Sequence, residues 1–179
     1  MKPIKESDLK ILFSEEMIQE KISKLGQILN DKYKDDELYL ICVLKGSVMF
    51  LVDLAKHLKM PVRMEFIKLS SYGSGFTSTG KVNAVDISLP DLNGKNVLVI
   101  EDIIDTGHTA KFLIDFINLN FHAKSVKFCS LLDKKIKRQV EINPDYYALE
   151  IDDKFLVGYG LDYDGYYRNL PYIGYIEQE

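Results

Sequence analysis

Val97-Leu-Val-Ile-Glu-Asp-Ile-Ile-Asp-Thr-Gly-His-Thr-Ala110 is the stretch on which the reading of the fold turns. Its opening aliphatic run is β-prone and apolar at every position, as in a strand buried on both faces. Glu101 and Asp102 stand where that strand ends, the place where open α/β sheets keep their ligand crevices. Asp105-Thr106-Gly107-His108-Thr109 then supplies hydroxyls and a glycine just ahead of an amphipathic segment, Lys111–Asn120. Free backbone N–H groups at such a helix start cradle phosphate. One short piece of chain therefore offers an anion site beside acidic groups suited to a sugar diol or a hard cation. An ordinary strand–turn–helix junction, with Asp105 as helix cap and Gly107 relieving strain, would account for Asp105 to Gly107. It leaves the Glu101-Asp102 pair unexplained, because neighbouring carboxylates repel and a purely structural role seldom favours them there.

The rest of the chain repeats the strand-and-helix pattern. Ile18, Ile22, Leu25 and Leu29 fall on one helical face. Ser14 is placed to cap that helix, Glu15 and Glu16 suit its positive end, and Phe13 with Ile18 suits a hydrophobic staple. Leu38–Leu44 reads as a buried strand, followed by Lys45-Gly46-Ser47 and a helix from about Val48 to Leu58. Further strands are expected at Met60–Leu69, Ser125–Leu132, Tyr146–Glu150 and Phe155–Val157. A glycine- and serine-rich segment, Ser70 to Gly80, has little reason to be rigid. Strands alternating with helices imply right-handed crossovers and a parallel sheet covered on both sides, an α/β protein. With no internal repeat or linker, residues 1–179 read as a single domain.

Composition narrows the function. The 23 basic and 27 acidic residues leave a net charge of −4 with no concentrated basic tract, which argues against a protein devoted to nucleic acid. There is neither a signal-peptide pattern nor an apolar run long enough to span a bilayer, so a cytoplasmic protein without a membrane partner is expected. Cys42 and Cys129 lie in apolar strand-like runs and read as buried reduced thiols. The three histidines are scattered, so no zinc site is expected.

Val97–Ala110 resembles the phosphoribosyl-diphosphate-binding motif of the type I phosphoribosyltransferases, and the chain is similar to the short, bacterial hypoxanthine-guanine members of that family from about Leu9 to Ile176. The resemblance implies the type I phosphoribosyltransferase fold: a central, mainly parallel twisted sheet flanked by helices. It also implies a core over about residues 35–150, with a small hood from about 1–15 and 151–179. It implies a purine salvage enzyme transferring the 5-phosphoribosyl group from phosphoribosyl diphosphate to hypoxanthine or guanine, with magnesium as cofactor and a homodimer or homotetramer as assembly.

The same resemblance assigns residues. Asp105, Thr106, Gly107, His108 and Thr109 match the 5′-phosphate loop, with His108 where many relatives carry Lys, Arg or an apolar residue. Glu101 and Asp102 match the acidic pair that holds the ribose hydroxyls, directly or through magnesium-bound water. Asp162 matches a carboxylate for a second magnesium near the pyrophosphate, beside the purine site, although alone it reads as a turn aspartate. Lys45-Gly46 and Arg168 match the pyrophosphate-binding groups, and in the family the peptide bond corresponding to Leu44–Lys45 can be cis. Lys134 matches the donor to the 6-oxo group, Phe155 the ring stacked on the base, and Leu156 a backbone contact to the base edge. Phe155 alone would read as core packing. Ser71 and Tyr72 match the mobile catalytic loop. Asp105 is the implied general base near the purine N7. Two other readings are set against this: a nucleotide-sensing regulator on the same fold, which should show a basic face, and a sister transferase for a pyrimidine, orotate or adenine. Lys134 and Phe155 argue against the latter.

Overall fold

In the computed structural model, which describes residues 8–70 and 83–176, the chain begins with β1 (Leu9–Phe13), α1 (Glu15–Tyr33), β2 (Leu38–Leu44) and α2 (Val48–His57). It continues through β3 (Val62–Ser70), β4 (Asn83–Asp86), β5 (Asn96–Ile104), α3 (His108–Asn120) and β6 (Ser125–Asp133). It closes with β7 (Tyr146–Glu150), β8 (Leu156–Val157) and β9 (Ile173–Ile176). Six strands form one sheet in the order β4-β3-β2-β5-β6-β7. All neighbours pair in parallel except β4, which runs antiparallel to β3 at the edge.

The aliphatic runs of β2 and β5 lie side by side at the centre, Leu38 opposite Asn96 through Cys42 opposite Ile100. They are apolar throughout because both faces are covered. On one face Leu40, Cys42, Leu98 and Ile100 pack under α1 and α2, whose Ile18, Ile22, Leu29, Phe50 and Leu54 are fully buried. On the other, Ile41, Val43, Val97 and Val99 pack under Ala110, Leu113 and Ile117 of α3. Ser14 caps α1, its hydroxyl accepting from the Met17 N–H at 3.3 Å. Both cysteines are free and buried.

Three departures from the sequence reading have physical causes. First, α3 starts at His108, ahead of Lys111, because Gly107 takes a left-handed conformation (φ 88°) and turns the chain sharply into the helix. Gly107 is the N-cap and no side chain caps the helix, so Asp105 is not the cap. Second, β4 was not expected: a short polar segment gains its strand from pairing with β3, a non-local choice that local pattern does not show. Third, β6 and β7 are parallel neighbours joined by a single 3-10 turn, Lys135–Lys137, and a loop where the alternation calls for a helix. A separate three-stranded antiparallel sheet, β1-β9-β8, joins the chain's two ends.

Candidate active site

From β2 the chain moves to β3 on one side, and from β5 to β6 on the other. The direction of the sheet thus reverses between β2 and β5, and α/β sheets open their crevice at such a point. Lys45-Gly46 follows β2 there, and the Leu44–Lys45 peptide bond is cis. A methyl group on Gly46 would lie 1.5 Å from Asp102 Oδ2, so only a glycine lets the loop and the β5 carboxylate approach this closely. Gly160, in the loop between β8 and β9, is under the same constraint: its added Cβ would lie 1.9 Å from the Gly46 carbonyl oxygen, and its φ is +97°. The loop after β2, the end of β5 and the loop after β8 thus meet at one point.

That last loop brings Asp162 and Arg168. Arg168 Nη1 donates to the Gly160 carbonyl at 2.6 Å, and Nη2 pairs with Asp162 Oδ1 at 2.5 Å. The Gly165 N–H donates to Asp162 Oδ2 at 2.8 Å, the bond of a turn aspartate. Burial pushes the Asp102 carboxyl up; the Ile103 N–H and Arg168 pull against this, while the charge of Asp162 adds to it. Asp102, Asp162 and Arg168 therefore feel one another across the crevice.

Consecutive strand residues point to opposite faces. Glu101 accordingly faces away from Gly46, into a second cleft lined also by Ile103, Ile104, Asp105, Thr106, Gly107, Thr109 and Ala110. Burial, and then the neighbouring Asp102 charge, push its carboxyl well above the ordinary range. The acidic pair is split between the two clefts. Asp105 has a buried Oδ1 with no hydrogen-bond partner among the described residues. A buried polar atom of that kind costs free energy unless something outside the chain satisfies it. His108 Nε2 lies 3.2 Å from Gln139 Oε1, so a protein partner occupies it.

Lys134 directly follows β6 and is buried, its Nζ 2.7 Å from Asp153 Oδ1 and 3.4 Å from the Lys154 carbonyl. Phe155 follows on the adjoining segment and is 49% exposed, resting edge-to-face on Tyr163 at 5.7 Å. An aromatic this exposed is not core packing. Leu156 is buried in the β8–β9 pair. Ser71 and Tyr72 lie outside the described residues.

The sequence reading missed Gly160, Asp133 and Arg138. Gly160 had a signal in Gly158-Tyr-Gly160, beside the Asp162 motif. Arg138, in a basic run, had none. Yet its guanidinium reaches the carbonyls of Asp105 and Ile104 and the buried carboxylate of Asp133.

No group of three metal-ligating side chains converges among the described residues. Asp102 and Asp162 still fit magnesium, which keeps several waters and takes one or two carboxylates beside ligand phosphates. No helix of the described residues is long and apolar enough to cross a membrane.

A mainly parallel sheet with a crevice at its switch point, a cleft lined by the turn and helix start after its central strand, and an arginine brought to the crevice by the loop between β8 and β9 define an α/β protein with a polar crevice at the strand ends. Residues 10–164 match the family described as phosphoribosyl transferase domain, and the chain belongs to that family. It is 44% identical over 175 residues to a hypoxanthine-guanine phosphoribosyltransferase of Streptococcus thermophilus, covering 97% of each. It is 45% identical over 170 residues to the bifunctional protein TilS/HprT of Listeria monocytogenes, covering 95% of this chain but spanning only 26% of that protein's length. The crystal structure of a hypoxanthine phosphoribosyltransferase from Staphylococcus aureus superposes with a TM-score of 0.91 at 38% identity, covering 99% of this chain and 96% of that one.

Proposed function

We propose that this protein transfers the 5-phosphoribosyl group from phosphoribosyl diphosphate to hypoxanthine or guanine, forming IMP or GMP and releasing pyrophosphate. The bond from the anomeric carbon to pyrophosphate breaks, a bond to a purine ring nitrogen forms, and the purine gives up a proton. The observation that carries the reading is the convergence of Gly46, Asp102, Gly160 and Arg168 at the sheet's switch point. The identity to enzymes bearing that name supports it along nearly the whole chain.

In this reading the N–H groups and hydroxyls of Thr106, Gly107, His108 and Thr109 hold the 5′-phosphate, at a helix start where anions are favoured. Asp102, with Glu101 beside it, orders the ribose hydroxyls. Lys45, Gly46 and Arg168 hold the leaving pyrophosphate, for which the planar guanidinium supplies paired donors. Asp102 and Asp162 would hold magnesium, directly or through water, and the ion would supply neutralisation of the diphosphate charge. Asp105 accepts a proton near purine N7, and its unmatched Oδ1 is the supporting observation. Lys134 donates to the 6-oxo group, which a 6-amino purine cannot accept, and Phe155 stacks on the ring.

The chain works as one phosphoribosyltransferase unit, in the cytoplasm, as a homodimer or homotetramer. Met49 and Val52 on α2, with Met64 and Phe66 on β3, are 40–49% exposed and offer an apolar surface for a second copy. Light scattering on the purified protein tests the assembly. A spectrophotometric assay with phosphoribosyl diphosphate, magnesium and each purine tests the chemistry. Turnover of hypoxanthine or guanine is expected, and turnover of adenine alone overturns the pocket.

A further inference from the structure

We propose that Arg138, anchored by Asp133, is the positioning residue of the anion loop, aiming its backbone N–H groups into the cleft by holding its carbonyls from behind. The inference rests on the reading of that loop as the 5′-phosphate site. Three consecutive carbonyls are engaged from the segment that follows β6. Ile104 O accepts from Lys134 N at 3.0 Å and from Arg138 Nη2 at 3.3 Å. Asp105 O accepts from Arg138 Nε at 3.0 Å, and Thr106 O from Gln139 N at 3.0 Å. A trans peptide carries its N–H opposite its C=O. These peptides are trans, the described residues having their cis bond at Leu44–Lys45. The N–H groups of Asp105, Thr106 and Gly107 therefore point away from Arg138, and these three residues line the cleft.

The guanidinium is itself held. Nη2 pairs at 2.6 Å with Asp133 Oδ1, a carboxylate only 1% exposed, and Nη1 donates to the Ile142 carbonyl. Side chains of Arg138, Val140 and Ile142 fill the space where a Cβ on Gly107 would sit, 2.7–2.9 Å away. The connection that replaces a helix between β6 and β7 is thus the back wall of the anion loop. One fork of donors bridging two successive carbonyls is a task for arginine, because lysine offers a single point of contact.

R138K and the paired variant R138M/D133L test the proposal, read by calorimetric binding of ribose 5-phosphate, by steady-state kinetics and by thermal melting. R138K keeps a cation beside Asp133 and loses the fork. Its kcat/KM for phosphoribosyl diphosphate is expected to fall about 10²-fold, with weaker ribose 5-phosphate binding and an unchanged KM for the purine. R138M/D133L removes both buried charges together, which keeps the fold, and shows the same selective loss. Wild-type affinity for ribose 5-phosphate in R138K overturns the proposal. So does an equal loss for purine and phosphate with an early melt, which would make the pair a general structural element. The binding arm needs no turnover: a wild-type protein that binds ribose 5-phosphate but transfers nothing refutes the proposed reaction and leaves this inference standing.

Discussion

At the N-terminal ends of the strands, Asp36 is met by Lys124 at 2.7 Å and Asn96 at 3.0 Å, and Glu37 by Lys95 at 2.9 Å and Arg63 at 3.0 Å. These partners hold both carboxyls below their ordinary range, Lys124 acting most on Asp36 and Lys95 most on Glu37. At the C-terminal ends the acids stand differently. Glu101 and Asp102 are pushed up by burial, and Asp105 keeps a buried oxygen without a partner among the described residues. The same residue types thus serve two ends. Where a carboxylate only ties loops together, the chain supplies its cation. Glu101, Asp102 and Asp105 have no ion-pair partner at contact distance among the described residues, while Asp162 in the same crevice is paired with Arg168; perturbed acids of this kind collect at functional sites.

The sharpest way to break this comparison is Asp105→Asn. Turnover is expected to fall by ~10²–10⁴-fold if the carboxylate manages a proton. The melting temperature should hardly move, since Asp105 neither caps α3 nor has a partner for Oδ1 among the described residues. Steady-state rates and calorimetric melts check both halves; matched losses in the two would return Asp105 to a structural role. Gly46→Ala comes next. Its methyl would occupy the position of Asp102 Oδ2, so loop or carboxylate must shift, and kcat/KM for phosphoribosyl diphosphate should drop by about 10²-fold.

A smaller effect concerns pH. The Glu101 carboxyl is held above its ordinary value in the fold, so the native state favours its neutral form. That stabilisation is complete below the ordinary glutamate range and is lost as pH rises through the raised value. The ligand-free protein should therefore melt progressively lower relative to Glu101→Gln as pH increases from acid to mildly alkaline. Parallel melting curves would show that burial of Glu101 is not what matters. The smallest effect is at the other end: Asp36→Asn should leave the transferase rate unchanged and lower the melting temperature slightly at low salt, a difference that fades as salt screens the exposed pair. A lost rate there would dissolve the distinction between the two ends.

Much of this was legible in the sequence where the signal was local. Leu38–Leu44 and Tyr146–Glu150 have the strand limits their residues announced, and Ser14 caps the helix it precedes. Apolar runs bounded by polar turns carry their own boundaries. The start of α3 was displaced by the φ of one glycine, and β4 depends on an edge strand met only after folding. The opposite facing of Glu101 and Asp102 follows from strand geometry once the strand is known to reach Ile104.

The residue types of the crevice, their order and the family they resemble were settled by the chain's letters alone, because each motif is contiguous and its chemistry belongs to the side chains. Their assembly was decided by tertiary structure. Gly46 touches Asp102, Gly160 closes on Gly46, and Arg138 holds Asp105 from behind only because parallel pairing brings distant loops to one edge of the sheet. Such contacts depend on strand order and backbone direction, which no local stretch of sequence encodes.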